Sequence, residues 1–146
     1  MRKGGMLMAV REKYGLVPHL VVNGAARAIE FYKAAMGAVE VSRSPDQQGD
    51  RLMHAELRIG GSPLFLSDDF PEYCGGVSRA PKPGTPTSVT LHLDVTDCDE
   101  AVARAAEAGA TVTMPAMDMF WGDRYAKITD PFGHEWSFAH PIKQAA

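Results

Sequence analysis

The feature that most constrains the fold is an internal repeat. The segment HLVVNGAARAIEFYKAAMGAVEV, residues 19–41, recurs 73 residues later as HLDVTDCDEAVARAAEAGATVT, residues 92–113. Each copy contains a short apolar strand, a polar turn, and a helix with apolar residues at three- and four-residue steps. A glycine and a β-prone run follow in both copies, so each copy predicts a β-α-β unit.

The ends of the two predicted helices carry recognisable signals. Asn23 is the predicted N-cap of the first helix, and Thr96 or Asp97 is the predicted N-cap of the second. Gly37 and Gly109 follow the helices, where a residue with positive φ is needed.

The second halves of the copies also correspond. Gly-Asp-Arg, ending at Arg51 and Arg124, precedes a strand, a glycine-containing turn and a last apolar strand, PLFLS or HEWSFA. The repeat is therefore βαβββ, present at residues 14–69 and 87–140. Residues 1–13 are expected to form a disordered leader, and residues 141–146 a tail.

One βαβββ unit covers only one face of its sheet with its helix. Two units whose sheets curve around a shared cleft provide a ligand site. The sequence thus predicts an α/β (α+β) protein with curved mixed sheets around a cleft. Residues 70–86, rich in proline and glycine, form either a lid or a connector between the modules.

Charge and composition exclude several classes of function. The net charge is -3 and the basic residues are scattered, which argues against nucleic-acid binding. No segment has the ~20 apolar residues of a membrane span. Cys74 and Cys98 form no CxxC pair, so we expect reduced thiols and a cytoplasmic protein.

Two motifs carry a family resemblance. AIEFYKAAMGA follows the first strand and DPFGHEW precedes the last one. This tandem repeat resembles the vicinal oxygen chelate superfamily, which includes glyoxalase I, bleomycin-resistance proteins and extradiol dioxygenases. HAELRIGGSPLFLSDD and FWGDRYAKITDPFGHEW resemble its PhnB-like branch. The resemblance covers residues 14–140 and implies a homodimer, but it implies no single reaction.

Enzymes of this superfamily hold a divalent metal at four cleft-facing positions. The resemblance places these positions at Val17, Phe65, Thr90 and Ser137. Valine and phenylalanine have no donor atom, and neutral hydroxyls are poor ligands for a divalent ion. We therefore expect no metal and no other cofactor at the usual site.

A displaced site is the alternative. His19 and His92 stand two residues further along each first strand, which keeps them on the same face. Glu135 shares a face with Ser137 on the last strand. These three side chains suit a Zn, Ni, Mn or Fe ion. The favoured interpretation is that both histidines line a polar cleft floor and bind a ligand, Asp94 or water.

Other candidates also have two interpretations. His54, with Glu56 on the same strand, is a candidate catalytic acid or base alongside His92. Simple alternation favours a solvated polar face at these positions instead. Arg124 is predicted to pair with Asp118, Asp123 or an anionic ligand, although its repeat partner Arg51 indicates a structural role at the start of a strand.

Aromatic residues cluster near the end of the chain. Phe120, Trp121 and Tyr125, with Phe70 and Tyr73, form either a wall for a planar ligand or a hydrophobic plug between modules or subunits.

Three functions are compatible with the sequence. The first is metal-independent binding of a small planar or aromatic molecule by the predicted ligand-contacting residues His19, His92, Phe120, Trp121, Arg124 and Glu135. The second is a metal-dependent lyase, isomerase or dioxygenase with His19, His92 and Glu135 as ligands. The third is a metal-free enzyme with His54 or His92 as general base.

Overall fold

The computed structural model describes residues 14–142. The predicted leader and most of the predicted tail lie outside the described residues. The elements follow one another as β1 (His19–Val22), α1 (Ala25–Met36), β2 (Val39–Pro45), β3 (Leu52–Ile59), β4 (Ser62–Asp68), β5 (Thr90–Asp94), α2 (Cys98–Glu107), β6 (Thr111–Asp118), β7 (Asp123–Thr129) and β8 (Glu135–Pro141). The predicted βαβββ unit is confirmed in both copies.

Each module forms a four-stranded mixed sheet. The strand orders are β1-β4-β3-β2 and β5-β8-β7-β6. The first and last strands of each module pair in parallel, and the other pairs are antiparallel. Of the four edge strands, β2 and β6 contain register shifts. The two sheets remain separate and do not close into one barrel.

The two helices are capped in different ways. The Asp97 side chain accepts a hydrogen bond from the Glu100 amide at 3.0 Å, which confirms one predicted cap. The predicted Asn23 cap is wrong, because Gly24 is the N-cap and its side chain has no acceptor. The Asp68 carboxylate supplies the missing acceptor, and the amides of Gly24 and Ala25 donate to it at 2.8 and 2.9 Å. This carboxylate ends β4, the strand beside β1, and therefore reaches the start of α1.

The C-terminal glycines are confirmed. Gly37 has φ 65° and Gly109 has φ 118°, both in the region that favours glycine.

The core lies where the helices pack on the sheets and on each other. Ala28, Ile29 and Tyr32 of α1 are fully buried, as is Ala105 of α2. The Arg104 guanidinium of α2 donates to the Ala34 carbonyl of α1 at 3.0 Å. Each helix covers one face of its own sheet. The buried residues of both modules belong to one hydrophobic core.

Asp130 joins the modules through a buried hydrogen-bond network. Its carboxylate accepts from the Tyr32 hydroxyl at 2.5 Å and from the Trp136 indole at 2.9 Å. It also accepts from the Phe132 and His134 amides at 2.9 and 3.0 Å. Burial, followed by the Asp130 charge, raises the pKa of Tyr32 well above its usual value, so the phenol remains a donor.

The register corrects one repeat correspondence. Leu64 and Trp136 are equivalent and buried, as expected. Leu64 pairs with Leu57, whereas Trp136 pairs with Ile128, so β3 and β7 correspond at a spacing of 71 residues rather than 73. Arg51 and Arg124 are therefore not equivalent.

No helix among residues 14–142 is long and apolar enough to cross a membrane.

We expect Asp130→Ala to lower the free energy of unfolding by about 3–5 kcal/mol, because it leaves several buried donors without an acceptor. The measurement is urea denaturation. Asp97→Ala is the matched control, since it removes an exposed helix cap worth about 1 kcal/mol. Equal losses in both variants would contradict the role assigned to Asp130.

Candidate functional site

Each sheet has one face turned away from its helix, and these two faces carry most of the candidate residues. Strand pairing defines them. We call them distal face 1, with His19, His54, Glu56, Arg58, Phe65 and Ser67, and distal face 2, with Thr90, His92, Asp94, Tyr125, Lys127, Glu135 and Ser137.

His92 lies at the centre of distal face 2 with both ring nitrogens hydrogen-bonded. Its Nδ1 lies 2.8 Å from the Ser137 hydroxyl, and its Nε2 lies 2.8 Å from an Asp94 carboxylate oxygen. An ionised carboxylate only accepts, so Nε2 carries the hydrogen and Nδ1 of the neutral ring accepts from Ser137. The arrangement fixes both the tautomer and the orientation of the ring.

Glu135 lies beside this group and is also engaged. The Thr90 hydroxyl donates to Glu135, and the Lys127 ammonium lies 3.8 Å from the same carboxylate. Glu135 is therefore held by its own strand neighbours.

Aromatic rings extend distal face 2 from His92 to the β6–β7 turn. The Tyr125 ring stacks on His92 with centroids 6.3 Å apart and an interplanar angle of 13°. Trp121 meets Tyr125 edge-on at 5.6 Å, and Phe120 meets Trp121 at 5.1 Å. Phe120 is 97% exposed and Trp121 is 49% exposed. The structure thus brings together three of the five predicted aromatic residues.

The other two aromatic residues form a separate group. Phe70 and Tyr73 stack on each other at 5.7 Å, and the Arg51 guanidinium lies 4.1 Å from the Phe70 ring. Within residues 14–142, no ring pair joins this group to Trp121 or Tyr125.

Distal face 1 holds a histidine pair against Phe65. The rings of His19 and His54 lie 6.0 Å apart, and His54 lies 4.8 Å from Phe65. His19 Nε2 is 3.3 Å from the Ser67 hydroxyl. His19 is exposed as a whole residue, but its ring packs on these neighbours. This desolvation, followed by the charge of His54, lowers the pKa of His19.

The prediction of a solvated face on β3 is wrong for Glu56, which is 8% exposed. The Tyr14 hydroxyl donates to Glu56 at 2.5 Å, and the Arg58 guanidinium lies 3.5 Å from the same carboxylate. Arg58 also donates to Tyr14 at 3.1 Å. Tyr14 precedes Glu56 by 42 residues, and no local pattern in the sequence indicates their contact.

Arg124 lies apart from the other candidates. Its guanidinium pairs with Asp99 of α2 at 2.7 Å and with Asp118 at 2.9 Å. Its neighbours on the same face of β7 are the buried Ala126 and Ile128, so Arg124 lies on the helix side of the sheet. The pairing with Asp118 was predicted, whereas that with Asp99 was missed.

The residues do not fit the usual metal site of such folds. Of the four mapped positions, Val17 and Phe65 have no donor atom, and Ser137 is bonded to His92. Within one chain, the displaced set is divided, since His19 lies on one sheet and His92 and Glu135 lie on the other. Among residues 14–142, no group of three or more His, Cys, Asp or Glu side chains is arranged to hold a metal ion.

We expect His19 to titrate below the ordinary histidine pKa, and His54→Gln to move that pKa upward by removing a like charge. The unfolded chain therefore binds a proton at His19 more readily than the folded chain does. As a result, the free energy of unfolding decreases as pH falls from the pKa of His19 in the unfolded chain through its pKa in the folded chain. NMR titration of the ring signals measures both effects. His140→Gln is the control, because His140 lies on the other sheet; an unchanged His19 titration in His54→Gln would contradict the coupling.

Comparisons with known proteins agree with this fold. The Glyoxalase/Bleomycin resistance protein/Dioxygenase superfamily matches residues 15–138. "Uncharacterized protein Rv0887c" of Mycobacterium tuberculosis is 49% identical over 140 residues, which are 96% of this chain and 82% of that protein.

Two crystal structures are also similar. The At5g48480 gene product of Arabidopsis thaliana has a TM-score of 0.66 at 30% identity, over 87% of this chain and 98% of that one. TioX from Micromonospora sp. ML1 has a TM-score of 0.66 at 26% identity, over 88% and 99% of the two chains. The repeat, the two mixed sheets and these matches show that the chain belongs to the glyoxalase/bleomycin resistance protein/dioxygenase superfamily.

Proposed function

We propose that this protein binds a small planar or aromatic molecule on distal face 2, without the metal site usual in its superfamily. The observation that carries the proposal is the continuous array of His92, Tyr125, Trp121 and Phe120, whose outer rings are largely exposed. Exposed rings next to one another offer apolar area that a planar ligand can cover, with offset or edge-on contacts.

Polar groups beside the array supply orientation. His92 is held in one tautomer by Ser137 and Asp94, and Asp94 remains largely exposed. A ligand hydroxyl or amine can therefore bind Asp94 while its rings lie on Tyr125 and Trp121. His19 and His54 offer similar groups on distal face 1.

We further propose that a homodimer completes the cleft. Within residues 14–142, no strand of the first sheet pairs with a strand of the second. A twofold arrangement that sets distal face 1 of one subunit against distal face 2 of its partner encloses two equivalent clefts. The family resemblance supports this arrangement and the PhnB-like branch. Both cysteines are free, which supports a reducing, cytoplasmic location.

The binding test uses the fluorescence of the chain's two tryptophans. Trp136 is buried in the core, whereas Trp121 is half exposed on the array. A panel of planar aromatic compounds should change the emission, and Trp121→Phe should abolish most of that change. His92→Ala and Asp94→Asn should weaken binding of hydroxylated ligands about tenfold, the effect of losing an oriented or charge-assisted hydrogen bond.

The matched control is His140→Ala, which leaves the array intact. Failure of every planar compound to bind, or equal binding by His92→Ala, would contradict the proposal. Stoichiometric binding of Zn, Ni, Mn or Fe(II) that is lost in His92→Ala would instead support the metal-dependent lyase, isomerase or dioxygenase.

A further inference from the structure

A cavity separate from the aromatic array lies beside the connecting segment between the modules. It has a volume of about 580 Å³ and opens between the 81–87 segment, the start of α1 and the β7–β8 turn. Its apolar walls include Phe132 and Pro131, and the hydroxyl side chains of Thr85, Thr87 and Thr113 also line it. A cavity of this size accommodates a small organic molecule.

Two cations line this cavity without an ionic partner. Neither Arg27 nor Lys82 forms an ion pair with any residue in the described range 14–142. One Arg27 Nη donates to the Asn23 carbonyl at 3.3 Å, and the guanidinium lies 5.8 Å from the Phe132 ring. A guanidinium has five N–H donors, so most of those of Arg27 remain available to a ligand.

Among residues 14–142, neither carboxylate that lines the cavity forms an ion pair with Arg27 or Lys82. Asp130 is buried and accepts from four donors of the surrounding network. Glu135 lies at the margin and is held by Thr90 and Lys127. The hydrogen-bonding capacity of both carboxylates is thus used elsewhere, whereas the Arg27 guanidinium keeps free donors beside the Phe132 ring.

Residues 81–87 cover one side of the cavity, and contacts before and at Pro81 anchor the start of this segment. Asp69 holds the segment that leads to it, accepting from the Ser78 hydroxyl and from the Arg79 amide at 3.1 Å. Pro81 then packs on Gly133, where an added Cβ would lie 2.6 Å from the proline Cβ. Gly133 also has φ 97°, so the turn needs glycine for both reasons. These contacts anchor the start of the 81–87 segment beside the β7–β8 turn.

We propose that this cavity binds a small organic anion, a phosphate monoester or a carboxylate joined to an apolar group. Arg27 binds the anion with charge-assisted hydrogen bonds and Lys82 adds a second positive charge. The apolar group packs on Phe132 and the proline walls. This site is separate from the aromatic array and goes beyond the function proposed above.

The test is an NMR titration of the full-length ¹⁵N-labelled protein with phenyl phosphate, phenylacetate and the uncharged benzyl alcohol. Either or both of the anions should give saturable shifts at the amides of Thr85, Thr87 and Gly133, which identifies the preferred acid group. Arg27→Gln should weaken this binding about tenfold, as expected for loss of a charge-assisted contact. Arg79→Gln, the matched control, removes an equal charge from an exposed position outside the cavity and should leave the binding unchanged.

Several outcomes would overturn this inference. One is equal affinity for the anions in Arg27→Gln and in the unaltered chain. Another is an affinity for benzyl alcohol equal to that for the anions. The third is the lack of a saturable shift with either anion up to about 10 mM, a range that covers weak millimolar binding. Trp121→Phe should not change these shifts. A failure here therefore leaves the aromatic site standing, and a failure of the aromatic site leaves this one.

Discussion

The arrangement of the two modules depends on the hydrogen bonds that the buried Asp130 carboxylate accepts. It lies in the turn between the last two strands of the second module, and it binds a tyrosine from the helix of the first. The same carboxylate binds Trp136, whose ring lies 5.5 Å from Tyr32. One acidic side chain therefore sets the shape of its own turn and also fixes the neighbouring module against it.

That contact holds the helix of the first module against the β7–β8 turn of the second. The two helices pack on each other within the core. His19 and His92 lie on the outer faces of two separate sheets. The two faces also differ in chemistry. His54 on the first face is equivalent in register to Tyr125 on the second, so a histidine pair on one side matches a histidine stacked on tyrosine on the other.

The fold follows from the sequence because the repeat and the helix period are local signals that both copies carry. The parity of the strands also placed His92, Glu135 and Ser137 on one face. The two-residue error between Arg51 and Arg124 arose because the first Gly-Asp-Arg motif precedes β3, whereas Asp123 and Arg124 of the second motif already belong to β7. The Tyr14–Glu56 contact and the Asp99–Arg124 pair join distant residues, and no periodicity encodes them.

The register shifts in edge strands β2 and β6 affect how readily a further strand can pair with these edges. Pro115 interrupts β6 within a region of irregular pairing, and Pro45 ends β2 next to another shift. A proline lacks an amide hydrogen, and a bulge bends the strand, so the β2 and β6 edges offer no regular row of free backbone groups. The edges formed by β2 and β6 thus disfavour regular addition of a further strand.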